Sequence, residues 1–337
     1  MISQEQIVDA LMKPGAYEEA PGHVEILQTH ISFVFLTNNF VYKVKKPVNF
    51  GFLDFTTLEK RRFFCERELQ LNRRLCGDMY IEVVPINHGK IIKIKGDGET
   101  VEYALKMKRM PQERIMTCLL EKNLVDKKLV DRLAKLIADF HAKAETSDAI
   151  SEVGSFATVR KNWVENFDQT RDYISKTISE SEFALIKEKI EIFMKKNKLL
   201  FHKRITDGRI RDCHGDIHSD NIFVTDRIYI FDAIEFNERF RYSDVAADMA
   251  FLAMDLDFKD KLELSEYFVQ EYIHYSGDDE LLKLLDFYKC YRAYVRGKVV
   301  GFKLKDPDVC EKEKKKAKEE AKEYFTLAVE YAMRLTS

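Results

Sequence analysis

The sequence has few of the residues that interrupt or cross-link a chain, and it has no marked excess of either charge. Its 337 residues include only 6 prolines, 13 glycines, 6 cysteines and 1 tryptophan. The formal net charge of −2 gives no basis for nucleic-acid binding, because proteins of that class usually carry a basic excess. A hydrophobic content of 45% with 33% charged residues is typical of a folded globular protein.

Neither export nor membrane insertion is indicated. The first residues lack the basic start and the apolar core of a signal peptide, and no stretch approaches the ~18 continuous apolar residues of a membrane span. The cysteines form no C-x-x-C pair, which argues against a zinc ribbon or a redox motif. They are therefore expected to be reduced, mostly buried thiols of a cytoplasmic protein that does not contact a membrane.

Hydrophobic periodicity predicts a β-rich first part and a helical remainder. A capping box of Ser3 with Gln6 and the alternation of apolar residues locate the elements of the first part. These elements are a helix over residues 3–12, a hairpin over 24–46, a helix from Thr56 to about Leu75, and strands over 90–95 and 100–107. After Pro111 the chain is mainly helical, apart from a small hairpin over residues 222–231.

The polar stretch CHGDIHSDNIFV, residues 213–224, leads into this small hairpin. Its His214, Asp216 and His218 alternate, so a strand would place them on one face and a zinc site is conceivable. Against zinc, the sequence shows no further ligand cluster of comparable quality. An ordinary polar loop before a buried hairpin is another alternative.

The spacing of the same stretch fits phosphoryl transfer better. Four residues separate Asp216 from Asn221, as in the H-R-D-x-x-x-x-N loop of kinases. Asp232 follows the hairpin, where the aspartate of D-F-G would stand. A hairpin between Asn221 and Asp232 returns both oxygen ligands to the same end, where they could hold Mg²⁺ against nucleotide phosphates. Asp216 would then accept the proton of an acceptor hydroxyl.

HGDIHSDNIFV followed by IYIFDAIEF resembles the aminoglycoside phosphotransferase family, small-molecule kinases with a protein-kinase-like fold. The similarity is greatest to an uncharacterised bacterial branch that shares YKVKKPVNFGFLDF and YSDVAADMAFLAMDL, and it covers roughly residues 25–300. It implies a two-lobed α+β fold, with a small β-rich lobe over residues 1–109, a mostly helical lobe over residues 110–337, and ATP between them. It also implies phosphate transfer from ATP (or GTP) to a hydroxyl, with Asp216 as base and Asn221 and Asp232 as Mg²⁺ ligands.

A kinase also needs a strand lysine on the phosphates. Strand alternation puts Val41, Lys43 and Lys45 on one face. With Lys43 as the phosphate lysine, Val41 would cover the adenine. With Lys45 in that role, a charged Lys43 would lie over an apolar ring, which is costly. Lys43 is therefore the favoured residue, and Lys45 is the alternative.

Glu68 is the candidate for the helix glutamate that holds this lysine. It shares a helical stripe with Phe64 and Leu71, the face that must point inward, whereas Glu66 lies on a more solvated face. An inward glutamate needs a partner, and Lys43 would provide one. A surface pair of Glu68 with Asn72 or with a neighbouring arginine is the alternative.

Further nucleotide contacts follow from the resemblance. A hinge through Lys108–Met110 would pair its backbone groups with adenine. No G-x-G-x-x-G precedes the first strand pair, and QTHISFVFLTNN, which includes Ser32, takes its place. Backbone amides and hydroxyls of that stretch would have to cover the phosphates.

Candidate contacts to the acceptor come from two regions. Glu235 and Arg239 follow Asp232 closely, and Arg292 and Arg296 lie on one face of a later helix. The two later arginines could recognise an anionic substrate. An ion-pair network with acidic helices is the alternative for them.

Other polar residues of the second half are expected to be structural. Asp248-Met249-Ala250 resembles the D-L-A segment of the family, which implies that Asp248 braces the catalytic loop. His141 lies on the apolar face of its helix and is predicted to be a satisfied core residue. Asp255 and Asp257 could bind an amine or face solvent.

Together these features predict an ATP- and Mg²⁺-dependent kinase acting on a hydroxyl of a small molecule. Only 16 positions separate Asp232 from Asp248, too few for a regulated activation segment ending in A-P-E, so a platform for a peptide is missing. The alternatives are a catalytically inactive nucleotide-binding regulatory module and a transferase acting on a protein. Some related proteins carry a fused P-loop kinase domain; because no G-x-x-x-x-G-K-[ST] occurs here, such a partner would be a separate chain.

Overall fold

The computed structural model describes residues 2–51, 53–307 and 309–335. The helices are α1 (Gln4–Leu11), α2 (Leu58–Cys76), α3 (Met116–Glu121), α4 (Lys127–Lys143), α5 (Asp148–Val153), α6 (Phe156–Thr170), α7 (Glu180–Lys196), α8 (Lys198–Thr206), α9 (Glu238–Arg241), α10 (Val245–Phe258), α11 (Leu262–Ser276), α12 (Leu282–Phe302) and α13 (Glu311–Arg334). The strands are β1 (Glu25–Gln28), β2 (Ser32–Leu36), β3 (Phe40–Lys45), β4 (Tyr80–His88), β5 (Ile92–Ile94), β6 (Glu99–Lys108), β7 (Ile210–Asp212), β8 (Ile222–Val224), β9 (Ile228–Ile230) and β10 (Tyr242–Asp244). Within the described ranges, no helix combines the length and the apolar character that crossing a membrane requires.

The chain forms two compact units. The first contains the described residues up to Cys118 together with Asn221–Glu238, and the second contains Leu119–Asp220 and the described residues from Arg239 onward. The hairpin of β8 and β9 therefore belongs to the first unit, although the chain on both sides of Asn221–Glu238 belongs to the second. The lobe boundary predicted between residues 109 and 110 stays a prediction.

An antiparallel sheet in the order β1-β2-β3-β6-β4-β5 forms most of the first unit. Tyr42 and Val44 of β3 point into an apolar core that also contains residues of α1. Because side chains alternate along a strand, Val41, Lys43 and Lys45 point to the opposite face. α2 packs against β6 and β4. The sheet thus presents the lysines of β3 away from the α1 core.

The start of α1 is confirmed, and the start of α2 is shifted by one residue. The Ser3 hydroxyl accepts from Gln6 N–H while the Gln6 side chain accepts from Ser3 N–H, which is the predicted capping box. α2 is capped by Thr57 and not by Thr56. The Thr56 hydroxyl instead donates to Asp54 at 2.6 Å, so it is not available as a helix cap.

β4 is a strand that the sequence pattern does not reveal. It lies between β6 and β5, and register shifts interrupt its pairing with β6 near Tyr80 and near Ile86. Pro85 lies inside the strand, where a residue without an N–H is unusual. These irregularities break the alternation by which a strand is recognised.

The small hairpin packs with an apolar cluster of the first unit. β8 pairs with β9 in the register Ile222↔Ile230 and Val224↔Ile228, as predicted. Phe223 of the hairpin belongs to the same cluster as residues of the sheet and of the end of α2. The buried members of this cluster are Cys76, Met79, Tyr80, Leu105, Met107 and Phe223.

Helices make up nearly all of the second unit. α10 is buried along almost its whole length; α11 and α12 pack against α10, α13 packs against α12, and α4 packs against α11. Trp163 of α6 lies among the rings of Phe167, Phe287, Tyr291 and Tyr294. β7 and β10 form a two-stranded sheet in this unit.

Candidate active site

Lys43 lies at the centre of a charged cluster in the first unit. β3 places it between Val34 of β2 and Leu105 of β6. Its ammonium donates to Glu68 Oε1 at 2.8 Å and to Asp232 Oδ1 at 2.7 Å. Burial alone would lower the pKa of Lys43, but the two carboxylates hold it well above its ordinary value. Lys43 is therefore a fixed cation.

Glu68 is fully buried in α2 and uses both of its carboxylate oxygens. Oε1 accepts from Lys43, and Oε2 accepts from Lys45 at 2.7 Å. Burial alone would raise the pKa of Glu68, but the two ammonium groups hold it well below its usual range. The alternative of a surface pair is wrong, since Asn72 donates to the backbone oxygen of Glu68 and not to its carboxylate.

The structure gives the two candidate lysines different surroundings. The side chain of Lys43 is 13% exposed and reaches Asp232, whose own side chain is 43% exposed. The side chain of Lys45 is 1% exposed, and its ammonium is bound by Glu68 and by Glu235. Lys43 is thus the lysine that is placed to meet a ligand.

Asn221 and Asp232 flank the small hairpin, Asn221 just before β8 and Asp232 shortly after β9. Phe231 N–H donates to the backbone oxygen of Asn221 at 2.9 Å, so the hairpin returns the chain to its starting point as predicted. Asp232 has a φ of 65°, a left-handed conformation that is uncommon for a residue other than glycine. The next residue is tied to α2, because Ala233 N–H donates to Asn72 Oδ1 at 2.9 Å.

Two of the predicted adenine contacts share one apolar surface. Val41 and Met110 are both partly buried and pack against the apolar cluster that contains Met107 and Phe223. The side chain of Lys108, at the predicted hinge, is paired with Asp78, which leaves its predicted contact with adenine to the backbone. A flat apolar ring could be covered by such a surface.

The turn between β1 and β2 differs from a glycine-rich phosphate loop. The Thr29 hydroxyl accepts from Ile31 N–H at 3.3 Å and from Ser32 N–H at 2.9 Å. These two amides are therefore used within the turn. The Ser32 side chain is fully buried, and its hydroxyl has no partner among the described residues. The contact of Ser32 with phosphate stays a prediction.

The donor chemistry of Asn221 and Asp232 fits a magnesium ion. An amide oxygen and a carboxylate are hard oxygen ligands, and Mg²⁺ is usually bound by one or two protein groups together with phosphate and water. The side chain of Asp232 is 43% exposed, so its carboxylate is accessible to an ion from solvent. Their roles as metal ligands stay predictions.

In the second unit, buried charged side chains hold the loop that carries Asp216. Asp248 accepts from His214 N–H at 2.9 Å and from Gly215 N–H at 2.8 Å. Arg292 donates to the backbone oxygen of Gly215 at 3.0 Å. Gly215 has a φ of 88°, a conformation that favours glycine. Asp248 thus braces the loop as predicted.

Asp255 holds the other end of this loop. It accepts from Ser219 N–H at 2.9 Å and is buried. Asp248 and Asp255 are seven positions apart on α10 and therefore lie on one face of that helix. The alternatives for Asp257 are binding of an amine and exposure to solvent. Asp257 is buried, so it does not face solvent, and it accepts from the ammonium of Lys289 at 2.8 Å. The signal that could have found Asp255 is the presence of three aspartates in an otherwise apolar helix, because buried charges need partners.

Asp216 lies beside a histidine. His218 Nε2 is 3.5 Å from Asp216 Oδ2, and its Nδ1 is 3.5 Å from Asp220 Oδ2. Burial alone would lower the pKa of His218, but the two carboxylates raise it to about 9. In turn, the His218 charge overcomes the effect of burial on Asp216 and lowers the pKa of that carboxyl. Asp216 is thus an ionised carboxylate, the form in which it can accept a proton.

Most of the predicted acceptor contacts are engaged within the protein. Arg239 binds Glu165 through two hydrogen bonds of 2.8 and 2.7 Å. Arg292 is buried and donates to backbone oxygens of Gly215 and Ala247, which favours a bracing role. Glu235 is buried against Lys45. Their substrate roles stay predictions.

Arg296 is the acceptor candidate whose guanidinium is held most loosely. Its Nε is 3.4 Å from the Tyr324 hydroxyl, its Nη2 is 4.0 Å from Asp220 Oδ2, and the side chain is 24% exposed. Its contact with substrate also stays a prediction.

Among the described residues, three side chains of metal-ligand type lie close together, but they are not those of the alternative zinc site. They are His141, Cys213 and Asp248, and not His214, Asp216 and His218. His141 uses both ring nitrogens, at 2.7 Å from Tyr272 Oη and 3.1 Å from Asp248 Oδ2. Burial raises the pKa of the Cys213 thiol, which disfavours the thiolate that a metal needs. This group is therefore a satisfied part of the core, as predicted for His141.

The fold is shared with two solved structures over nearly the whole chain. A choline/ethanolamine kinase family protein from Mesorhizobium loti is 13% identical, with a TM-score of 0.55 over 97% of this chain and 99% of that chain. A protein described as an aminoglycoside phosphotransferase from Ralstonia eutropha is 11% identical, with a TM-score of 0.51 over 99% of each chain. The predicted kinase-like α+β fold is confirmed.

The sequence itself matches a known protein family over more than half of the chain. Residues 66–284 match the model of the phosphotransferase enzyme family. The chain belongs to this family. Uncharacterised proteins of Mycobacterium tuberculosis and Mycobacterium bovis are 33% identical over 82% of this chain. The chain spans about half of the length of these relatives, 54%.

Proposed function

We propose that the chain is an ATP- and Mg²⁺-dependent phosphotransferase that phosphorylates a hydroxyl group of a small molecule. The observation that carries the proposal is the cluster in the first unit. There a buried glutamate holds Lys43, and Lys43 reaches the carboxylate that follows the hairpin. A lysine held by a helix glutamate beside a metal-binding aspartate is the arrangement that binds nucleotide phosphates in kinases.

Residues of the first unit would bind the nucleotide. Lys43 would contact the phosphates, Val41 and Met110 would cover the adenine, and Asn221 and Asp232 would hold Mg²⁺. The ion would neutralise charge on the phosphates during transfer. GTP in place of ATP is compatible with the same contacts.

Asp216 of the second unit would act as the base. It accepts the proton of the acceptor hydroxyl, the hydroxyl oxygen bonds to the terminal phosphorus of ATP, and the bond from phosphorus to the oxygen that bridges to ADP breaks. His218 keeps the carboxylate ionised, and Asp248 and Arg292 fix the backbone around it. The products are the phosphorylated acceptor and ADP.

A small acceptor is favoured by the shortness of the segment after Asp232. Only residues 233–244 lie between it and the start of α10, and they include α9 and β10. Protein kinases dock their peptide substrates on a longer segment. The structural relatives named above, a choline/ethanolamine kinase family protein and a protein described as an aminoglycoside phosphotransferase, also suggest a small hydroxylated molecule. A separate P-loop kinase partner stays a prediction.

The thermal unfolding midpoint in the presence of ATP tests the nucleotide site. A ligand at about 100 times its Kd stabilises a protein by about 2.7 kcal/mol, so ATP with Mg²⁺ is expected to raise the midpoint of the wild-type chain. The rise should fall when Mg²⁺ is removed with EDTA. Asp232→Ala should lose the Mg²⁺-dependent part, because the carboxylate is the proposed metal ligand.

Asp226→Ala is the matched control for this experiment. Asp226 is an exposed aspartate in the turn of the same hairpin, at the end away from Asp232, and the variant should respond to Mg²⁺ and ATP as the wild type does. A wild-type midpoint that no nucleotide shifts would contradict the proposal. A shift that Asp232→Ala retains in full would remove Asp232 from the metal site.

A further inference from the structure

We infer that Lys45 and Glu235 form a positioning pair for the nucleotide site, a role that rests on the proposed function. Neither residue needs to touch the nucleotide for this role. The pair would hold Glu68 and the segment after Asp232 in place while Lys43 changes partners from Asp232 to the phosphates.

The geometry shows two parallel links between α2 and the segment that follows the hairpin. One link runs from Glu68 Oε1 through the ammonium of Lys43 to Asp232. The other runs from Glu68 Oε2 through the ammonium of Lys45 to Glu235. Asp232 and Glu235 are three positions apart in the chain. Glu68 therefore joins both links, because its single carboxylate binds Lys43 and Lys45.

The two links differ in their access to solvent. The side chains of Lys45 and Glu235 are 1% and 4% exposed, whereas that of Asp232 is 43% exposed. The ammonium of Lys45 also lies 4.8 Å from the centre of the Phe55 ring. A phosphate or a metal ion can compete for the exposed link, but the buried link is sheltered from such competition. The buried link is therefore the one that can persist when nucleotide binds.

The charges around Glu68 give a second reason for a positioning role of Lys45 and Glu235. With Lys45 absent, Glu68 would have Lys43 as its single ammonium partner, and Lys43 would be bound more tightly. Lys43 would then be withheld from the phosphates. Glu235 would be left as a buried carboxyl without its partner, a state that is costly unless the group is protonated.

The test is the Kd of Mg·ATP, measured by isothermal titration on the full chain, for the wild type, Lys45→Met, Lys45→Arg and Glu235→Gln. Substitution of a residue that supports metal ligands without binding the metal typically changes the affinity by about 10–100-fold. Lys45→Met and Glu235→Gln are therefore expected to weaken the binding of Mg·ATP by a similar factor. Lys45→Arg keeps the charge and should recover most of the affinity. In the Lys45→Met, Glu235→Gln double variant the losses should not add, because the two residues act as a unit.

Glu102→Gln is the matched control. It breaks another buried ion pair of the first unit, in which Arg61 Nε lies 2.8 Å from Glu102 Oε2, and Arg61 is also on α2. Its unfolding midpoint should fall while the Kd of Mg·ATP stays at the wild-type value. This control separates loss of stability from loss of positioning.

The outcomes distinguish this inference from the proposed function. A wild-type chain that does not bind Mg·ATP would overturn both. A folded Lys45→Met that binds Mg·ATP as tightly as a binding wild type would overturn the positioning role and leave the proposed function intact. If Lys45→Met does not fold, the isosteric Glu235→Gln decides in the same way: weaker binding supports the pair, and unchanged binding overturns it.

Discussion

Lys43 and Lys45 show how neighbouring identical residues acquire different chemistry. They are two positions apart on one face of β3, and both bind Glu68. Their second partners differ, because Lys43 reaches a partly exposed aspartate and Lys45 reaches a buried glutamate. Alternation alone could show that both lysines share a face. It could not show which of them is enclosed, since that depends on Glu235, which lies far away in the sequence.

A pH dependence is predicted from His218. The carboxylates of Asp216 and Asp220 raise its pKa from 6.5 to about 9, while burial and Arg296 act in the opposite direction. The folded state therefore binds more protons than the unfolded state between these values. The resulting stabilisation is complete below pH 6.5 and is lost as the pH rises through 9. We expect it to be at most about 3 kcal/mol, given 1.36 kcal/mol for each pKa unit.

Urea unfolding measures this effect through the fluorescence of Trp163, the single tryptophan of the chain, which lies in the same unit as His218. The difference in unfolding free energy between wild type and His218→Gln should shrink from pH 6 to pH 10. In the Asp216→Asn background the same substitution should change the slope less, because one of the partner charges is gone. A difference that is independent of pH would show that His218 is not a stabilised cation.

At the scale of elements, α10 acts as a support for the loop that carries Asp216. Asp248 and Asp255, on one face of α10, bind backbone N–H groups near the two ends of that loop. The helix is otherwise almost wholly apolar and buried, so its position is fixed by packing. A loop held in this way is positioned without regular structure of its own.

Asp255→Ala is therefore predicted to loosen the loop. The substitution leaves the buried N–H of Ser219 without its acceptor, at a cost of about 1–3 kcal/mol. Hydrogen–deuterium exchange should increase in the peptides that contain residues 214–221. Asp257→Asn weakens a different buried contact, that with Lys289, and is the control: it should lower stability without a selective change in these peptides. Equal exchange in wild type and Asp255→Ala would remove the supporting role.

The sequence predicts some elements well and others not, for physical reasons. The hairpin of β8 and β9 and the cap of α1 are encoded locally, by a turn and by two side chains three residues apart. β4 is hidden because Pro85 and its register shifts break the alternation. The pairing of Lys45 with Glu235 is hidden because nothing near either residue in the sequence indicates the other. Residues whose partners are close in the chain, or fixed by a motif, are thus predictable from the sequence.

At the scale of the whole molecule, the candidate groups are divided between the two units. The first contains Lys43, Glu68 and Asp232, and the second contains Asp216 with its braces. The chain belongs to the phosphotransferase enzyme family, yet it spans about half of its curated relatives. The activity of this chain must therefore be measured on the chain itself, by following the γ-phosphate of ATP to its acceptor.

The destination of the phosphate is the last prediction. The chain is incubated with Mg²⁺, ATP labelled at the γ-phosphate, and the low-molecular-weight fraction of a cell extract, and the products are separated by ultrafiltration and chromatography. Because residues 233–244 leave no room for a long peptide-docking segment, the label is expected in a small molecule other than ADP or phosphate. Asp216→Asn should lower this transfer by roughly 10²–10⁴, the usual contribution of a general base, while Asp226→Ala should not. Label retained with protein would instead identify a protein acceptor, and retention from α-labelled ATP would identify nucleotidyl transfer.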